Sequence, residues 1–436
     1  MTGSRYFHVA GRAATTIWWC MLALTLILLH GPARGWAADE AGETGSRSFP
    51  QMGGPNQVES QIAKDSEGKK PFLEEVILQP WLDWKKDLAD AYGLLFEIDY
   101  TSLFLSATES FQNDSTGSGM ARFFGSLELL GRGPENTGAF IWKIEHRHQY
   151  DAPPPSGFAL GELGYVGLQE PPFSNEGFRT TNFYWRQRWL NGRIGMYAGL
   201  LDSTDYVDVY ALASPWLHFM NFAFSTGSAT IALPNDAALG VGIGGMLTNH
   251  VYVLGSLVDT NSDPTDPFDN LDTFWNDHEF FTSFEIGVTT AQERMYLDNY
   301  HVTFWHKDKQ QAAGVDNGWG VVFSLSRFFN ENWMPFLRGG YTEEAGSLLE
   351  KSLSAGLGYQ PVPGGDLIGF GFNWGEPNED TFGSGLDDQY ATELFYRFQA
   401  AERLAFTGDV QWLKDPALNP DESSIWMFNI RARLVL

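Results

Sequence analysis

The chain ends on an unbroken alternation. From Ser424 to Leu436, the residues Trp426, Phe428, Ile430, Ala432, Leu434 and Leu436 fall on one face of an extended backbone, while Asn429, Arg431 and Arg433 fall on the other. A period of two is a strand signal and not a helix signal. One face of this terminal strand is apolar and free of charge, as a bilayer-facing barrel strand requires.

The same pattern recurs upstream. Leu94, Phe96, Ile98, Tyr100 and Phe104 oppose Glu97, Asp99 and Thr101; Phe123, Leu127 and Leu129 oppose Arg122, Ser126 and Glu128. Phe140, Trp142 and Ile144 oppose Lys143, Glu145 and Arg147, and Phe183, Trp185 and Trp189 oppose Arg186 and Arg188. Between such segments the connections alternate short and long. Asn191-Gly192 predicts a type I′ hairpin turn, and other short joins fall near Gly131–Thr137, Thr248-Asn249, Phe329–Asn332, Pro361–Gly365 and Gln399–Arg403. Longer loops are expected at Ser106–Gly119, Asp151–Arg179, Asp202–Ala237, Thr260–Glu279, Lys307–Asn317, Thr342–Glu350, Glu376–Asp388 and Leu413–Ser423. Short periplasmic turns and long external loops are the rhythm of an outer-membrane barrel. Sixteen strands fit it, starting near Leu94, Met120, Gly138, Thr180, Gly192, Ala238, His250, Phe280, Asn299, Gly318, Trp333, Ser352, Asp366, Gln389, Leu404 and Ser424. Gly161–Leu168 and Trp216–Phe224 are two further candidates that would make eighteen. The fold class is therefore an all-β transmembrane antiparallel barrel of about 16 strands, preceded by a short periplasmic helix.

Composition agrees. Aromatic residues make up 15% and glycines number 47, as aromatic girdles and tightly paired strands demand. The formal charge of −26 argues against nucleic acid, which needs a basic footprint. Met1 to Ala37 reads as a cleaved secretory signal, with Arg5 and Arg12 before the apolar Ile17–Leu29 and Gly35-Trp-Ala37 at the cleavage site. Cys20, the single cysteine, lies inside it, so the mature chain has no disulfide or thiolate metal site. Residues 38–70, rich in Gly, Ser, Glu and Gln, are expected to be a flexible lead. Residues 71–92 have helical spacing in Val76, Leu82, Leu88 and Tyr92, and 93–436 form the barrel domain.

Glu393-x-x-Tyr396-x-Phe398, Gln411-Trp412-x-x-x-Pro416 and a closing strand with Arg431 resemble the carbohydrate-selective porins of the OprB family. Trp81-x-x-Trp84-Lys-Lys-x-Leu88-x-x-x-Tyr92-Gly93 resembles that family's N-terminal helix, and the resemblance extends over roughly Trp81 to Leu436. Members typically end in Phe, where this chain has Leu436. The resemblance supports sixteen strands. It implies passive diffusion of small neutral sugars, such as the monosaccharide glucose, with no cofactor and no enzyme activity. It also implies outer-membrane lipid, lipopolysaccharide and the barrel-assembly machinery of a Gram-negative bacterium as partners. The oligomeric state stays open.

Pore selectivity comes from diameter, polar lining and rings of charge. By strand parity the solute-contact candidates are Arg122, Lys143, Arg147, Arg186, Arg188, Arg193, Arg338, Arg397, Glu97, Glu128, Glu145 and Glu393, with Asp99, Glu285, Asp409, Arg431 and Arg433 on the same face. Guanidinium and carboxylate groups offer directed hydrogen bonds to sugar hydroxyls, and aromatic rings offer flat faces. The third long loop holds Asp202, Tyr206, Tyr210 and Trp216 and is too aromatic for a solvated loop. The resemblance implies that it folds inward as the constriction. Gly199-Leu-Leu-Asp202 resembles the family's Gly-x-x-Asp strand end, with Leu200 where a basic residue is frequent. Asp259-x-Asn261-x-Asp263 opens like a calcium loop, but Pro264 replaces the glycine such a loop needs. His146 and His148 share a strand face without a third ligand and suit a girdle position. The alternatives are a general or cation-preferring porin and, from another class, a barrel enzyme or polysaccharide exporter.

Overall fold

A backbone crossing hydrocarbon must satisfy every N–H and C=O internally, which leaves helices and closed barrels. Among the described residues no helix is long and apolar enough to span a membrane. A computed structural model describes residues 53–66, 78–131, 136–362 and 364–436; the expected signal peptide lies outside them. Sixteen antiparallel strands form a closed barrel in which each pairs with its sequence neighbours and the last returns to the first. They are β1 (Leu94–Ala107), β2 (Ser115–Leu130), β3 (Thr137–Gln149), β4 (Gly177–Trp189), β5 (Ile194–Leu201), β6 (Ala238–Met246), β7 (Val251–Asp259) and β8 (Phe280–Thr289). There follow β9 (Asn299–Lys307), β10 (Gly318–Ser326), β11 (Trp333–Glu344), β12 (Leu349–Tyr359), β13 (Leu367–Pro377), β14 (Gln389–Ala401), β15 (Leu404–Lys414) and β16 (Ser424–Val435). In the closing seam Tyr100 faces Leu434, Phe104 faces Ile430 and Ala107 faces Met427.

The expected faces hold. Phe104, Phe428 and Ile430 are exposed on the outside, whereas Asp99, Asn429, Arg431 and Arg433 are buried on the lumen side. The expected strand starts differ most at β2, which begins at Ser115 rather than Met120. Its first residues are small and carry no apolar alternation, yet their backbone pairs with β1 from Leu103 to Ser106. The Asn191-Gly192 turn is wider than a two-residue hairpin: Trp189 pairs with Ile194, and Leu190, Asn191 and Gly192 all adopt positive φ. The connection expected as a long loop at Thr342–Glu350 is short, because β11 runs to Glu344 and β12 begins at Leu349.

Neither extra strand candidate is a strand. Residues Pro155–Glu162 form a helix, a 3₁₀ turn spans Phe222–Phe224, and one isolated bridge joins Gln169 to Asn221. Their apolar residues mimic strand patterning because they pack inside the barrel: Phe158, Leu163 and Trp216 cluster with the wall residues Leu103, Met120, Leu413 and Met427.

Among the described residues two helices precede β1. Helix α1 (Val58–Ser66) lies within the stretch expected to be a flexible lead. Its Val58 and Ile62 are instead buried among Phe124, Ile141, Tyr184 and Tyr197, four residues apart on one helical face. Helix α2 (Gln79–Tyr92) has Pro80 in its first turn and ends at Gly93, which supplies the left-handed φ of 72°. Trp81 and Trp84 pack edge-on against the outward Phe96, with ring centroids 6.0 and 6.1 Å apart. Lys85 donates to the Leu436 carbonyl at 3.1 Å and pairs with Glu97. This helix thus seats an indole pair where the barrel meets the membrane interface.

Ile430 sits at the middle of β16 on the lipid face with 61% of its surface exposed. Ile430→Arg is expected to destabilise the barrel by about 2–4 kcal/mol, read by reversible denaturant unfolding in lipid vesicles.

Candidate pore constriction

The segment from Asp202 to Ala237 does not project outward. Most of it is buried, and charged wall residues of several strands hold it inside the barrel. At its start, Lys143 of β3 lies 3.2 Å from Asp202 and 3.5 Å from Asp205, and Asn182 of β4 donates to Asp205 at 2.6 Å. Further on, Asp208 is fully buried between Arg338 of β11 and His301 of β9; His301 Nε2 lies 2.7 Å from Asp208 Oδ1. The Asp208 amide donates to Glu285 of β8 at 3.0 Å, and Tyr252 of β7 donates to the same carboxylate at 2.8 Å. The Arg338 guanidinium also stacks 4.1 Å from the centre of the Tyr210 ring.

The far side is fastened in the same way. Glu393 of β14 accepts from the amides of Met220 and Asn221 at 2.6 and 3.0 Å. Arg431 of β16 donates to the His218 carbonyl at 3.0 Å and pairs with Glu170 of the preceding loop. Arg122 lies 4.7 Å above the Trp216 ring. At the loop's exit Asp236 takes Arg147 at 3.0 Å and Arg179 at 2.6 Å. A buried charge is tolerated only when paired and hydrogen-bonded, so the wall charges fix the loop's path as a set.

Most of the residues predicted as solute contacts therefore spend their polar groups on this loop or on each other. Arg122, Lys143, Arg147, Arg338 and Glu393 hold loop groups, and Glu145 pairs with Arg147. Glu97 sits at the barrel base between Lys85 and Arg403, the latter at 2.9 Å. Glu128 is buried on the lumen side, and Arg397 donates to Gln399 at 2.8 Å. Arg193 departs from the expectation. It bonds Asn249 and the Thr248 carbonyl of the neighbouring periplasmic turn, each at 3.0 Å, and so lies on the rim. Arg186 and Arg188 do come together, and both bond Glu59 of α1.

Asp208, His301, Asp236, Glu170 and Glu59 were missed by sequence reasoning. His301 was legible, since it shares the lumen face of β9 with Asn299 and Thr303. The others lie outside the strands, where no parity rule applies.

A narrow cleft of aromatic and polar side chains lies beside the loop. It is lined by Gln57, Tyr184, Tyr197, Leu201, Asp202, Asp205 and Tyr206. The Tyr184 and Tyr197 rings are 5.6 Å apart and edge-on, and Tyr206 lies 6.3 Å from Tyr197. Burial pushes the Asp205 carboxyl up to about 8 against the attraction of Lys143, with repulsion from Asp202 adding to the rise. Burial likewise raises Asp202. One lysine thus serves two carboxyls, and Asp205 holds a proton near neutrality.

A closed sixteen-stranded barrel with a long loop fastened across its lumen defines a porin-type channel. The chain belongs to the carbohydrate-selective porin, OprB family, whose pattern matches residues 82–435. That fold and family imply the outer membrane of Gram-negative bacteria. Among solved structures, Pseudomonas putida OprB at high pH superposes with a TM-score of 0.65 at 14% identity, covering 85% of this chain and 99% of that one. The low-pH structure of the same protein gives 0.50 at 12% identity, covering 84% and 100%. A triple mutant of the Rhodopseudomonas blastica porin gives 0.50 at 11% identity, covering 79% and 100%. These likenesses bear on the fold alone. Among curated proteins no sequence matches.

The sign of the Asp205 effect is defined. Between about 4 and 8 the folded chain keeps a proton that the unfolded chain has released. Its contribution to stability is complete below about 4 and is lost as pH rises through about 8. Amide exchange over residues 202–206, corrected for intrinsic rates, is expected to quicken between pH 7 and pH 9, and Asp205→Asn to remove that dependence.

Proposed function

We propose that the protein is an outer-membrane channel for passive, selective diffusion of small neutral sugars, glucose among them, into the periplasm. The observation that supports this most is the tyrosine cleft beside the inward loop. Tyr184, Tyr197 and Tyr206 bring ring faces and hydroxyls together there, closely packed in this structure, and Asp202 and Asp205 add hydrogen-bonding groups. A sugar has the matching surfaces, apolar C–H faces and a girdle of hydroxyls. Such contacts are individually weak, so a solute can enter and leave, as conduction requires. No step makes or breaks a covalent bond. Cleavage of the leader within residues 1–37, insertion by the barrel-assembly machinery and contact of the aromatic exterior with lipopolysaccharide complete this reading.

Osmotic swelling of vesicles holding the purified protein tests it. Glucose is expected to enter faster than an amino acid of similar size, and Tyr206→Ala to erase the difference while speeding both. Entry ordered by size alone, in both proteins, would contradict sugar selectivity and favour a general porin.

A further inference from the structure

Helix α1 is not part of the barrel wall, yet it is held inside the barrel as firmly as the constriction loop. Glu59 places Oε1 2.6 Å from Arg186 and Oε2 2.7 Å from Arg188, two guanidiniums on neighbouring inward positions of β4. Six residues on, Asp65 meets Arg433 of β16 end-on, accepting from Nη1 and Nη2 at 2.9 and 2.7 Å. Arg433 is in turn oriented by Asp99 at 2.8 Å, and Arg186 by the Thr137 hydroxyl at 2.6 Å. Ahead of the helix, the Gly54 amide donates to the Asp205 carbonyl at 2.7 Å, joining this segment to the loop. The fit there is close. A Cβ on Gly54 would come within 2.6 Å of the Val209 Cβ, so only glycine passes.

The two carboxylates from α1 thus sit where a solute crossing the periplasmic half of the lumen would pass. Their seats have the geometry of carboxylate recognition: a pair of guanidiniums closing on both oxygens in one case, an end-on fork in the other. Arg186 and Arg433 are each also held by a wall residue, so those two guanidiniums keep a wall contact apart from the helix.

We propose that residues 53–66 are a built-in plug, and that Glu59 and Asp65 occupy two seats, Arg186/Arg188 and Arg433, which accept the carboxylate of an acidic sugar when the plug leaves. The channel is then closed by its own mimic of a charged solute. In the open state the periplasmic half of the lumen presents Arg186, Arg188 and Arg433 to solvent and favours anions. The inference rests on the channel reading above and goes beyond its neutral-sugar part.

Planar-bilayer recording of full-length Glu59→Gln/Asp65→Asn tests it. Removing the carboxylates deletes the ion pairs that hold the helix in the closed state, so the open fraction should rise by about tenfold. In a potassium chloride gradient the reversal potential should shift towards that of chloride, and glucuronate, unlike glucose, should reverse the shift. An unchanged open fraction and reversal potential, in a variant that still shows heat-modifiable barrel migration, would overturn the proposal.

A second probe leaves both carboxylates in place. Ser60 is 8% exposed on α1. In a Cys20→Ser background, the thiol introduced by Ser60→Cys should react slowly with a membrane-impermeant maleimide, and faster once glucuronate is added. Rapid labelling without glucuronate, or a rate indifferent to it, would overturn the plug. Neither readout depends on glucose flux, so failure of the neutral-sugar reading would leave both standing.

Discussion

Everything in this molecule depends on the pairing of β1 with β16. That seam removes the last free sheet edge, and an open edge has no place in hydrocarbon. Once closed, the sheet has an inside and an outside, and the period of two assigns every strand residue to one or the other. Ile430 and Phe428 go to lipid; Asn429, Arg431 and Arg433 go to the lumen. An amphipathic strand thereby delivers charge to the interior of a barrel wide enough to need filling.

The filling solves an electrostatic problem. Guanidiniums and carboxylates on the wall are costly to bury alone, and the inward segments answer them one by one: Asp208 for Arg338, Glu170 for Arg431, Asp236 for Arg147 and Arg179, Glu59 for Arg186 and Arg188. Backbone groups take part as well, as where Glu393 receives the amides of Met220 and Asn221. Where the loops press apolar side chains on the wall, the wall is apolar too. Leu103, Met120, Leu413 and Met427 break the polar-inside rule beneath Phe158 and Trp216. The inward segments turn much of the lumen into a packed core, and the tyrosine cleft lies within it.

How much was legible follows from this division. Strand order and facing were readable because lipid imposes alternation on each strand. The choice of sixteen strands over eighteen rested on the rhythm of the connections and the family resemblance, and the inward course of residues 202–237 on that resemblance together with Tyr206, Tyr210 and Trp216. The roles of the wall charges were not. Parity says that Arg338 or Glu393 points inward, but the partner comes from a loop whose path has no period. Arg193 shows the limit of parity at a strand end, where it bonds the next turn instead of facing the lumen. Within the lead, residues 58–66 depart from the expected flexibility for a different reason. Its composition is poor in large apolar residues, but Val58 and Ile62 sit one turn apart, and the barrel wall supplies the remaining apolar surface.

The central claim is that a sugar engages the tyrosine cleft on its way through the barrel. Noise analysis of the ion current through single channels tests this most directly. The account predicts that glucose produces concentration-dependent interruptions of the current, and that an amino acid of similar size at the same concentration does not. A current equally quiet with both solutes, or equally interrupted by both, would contradict it.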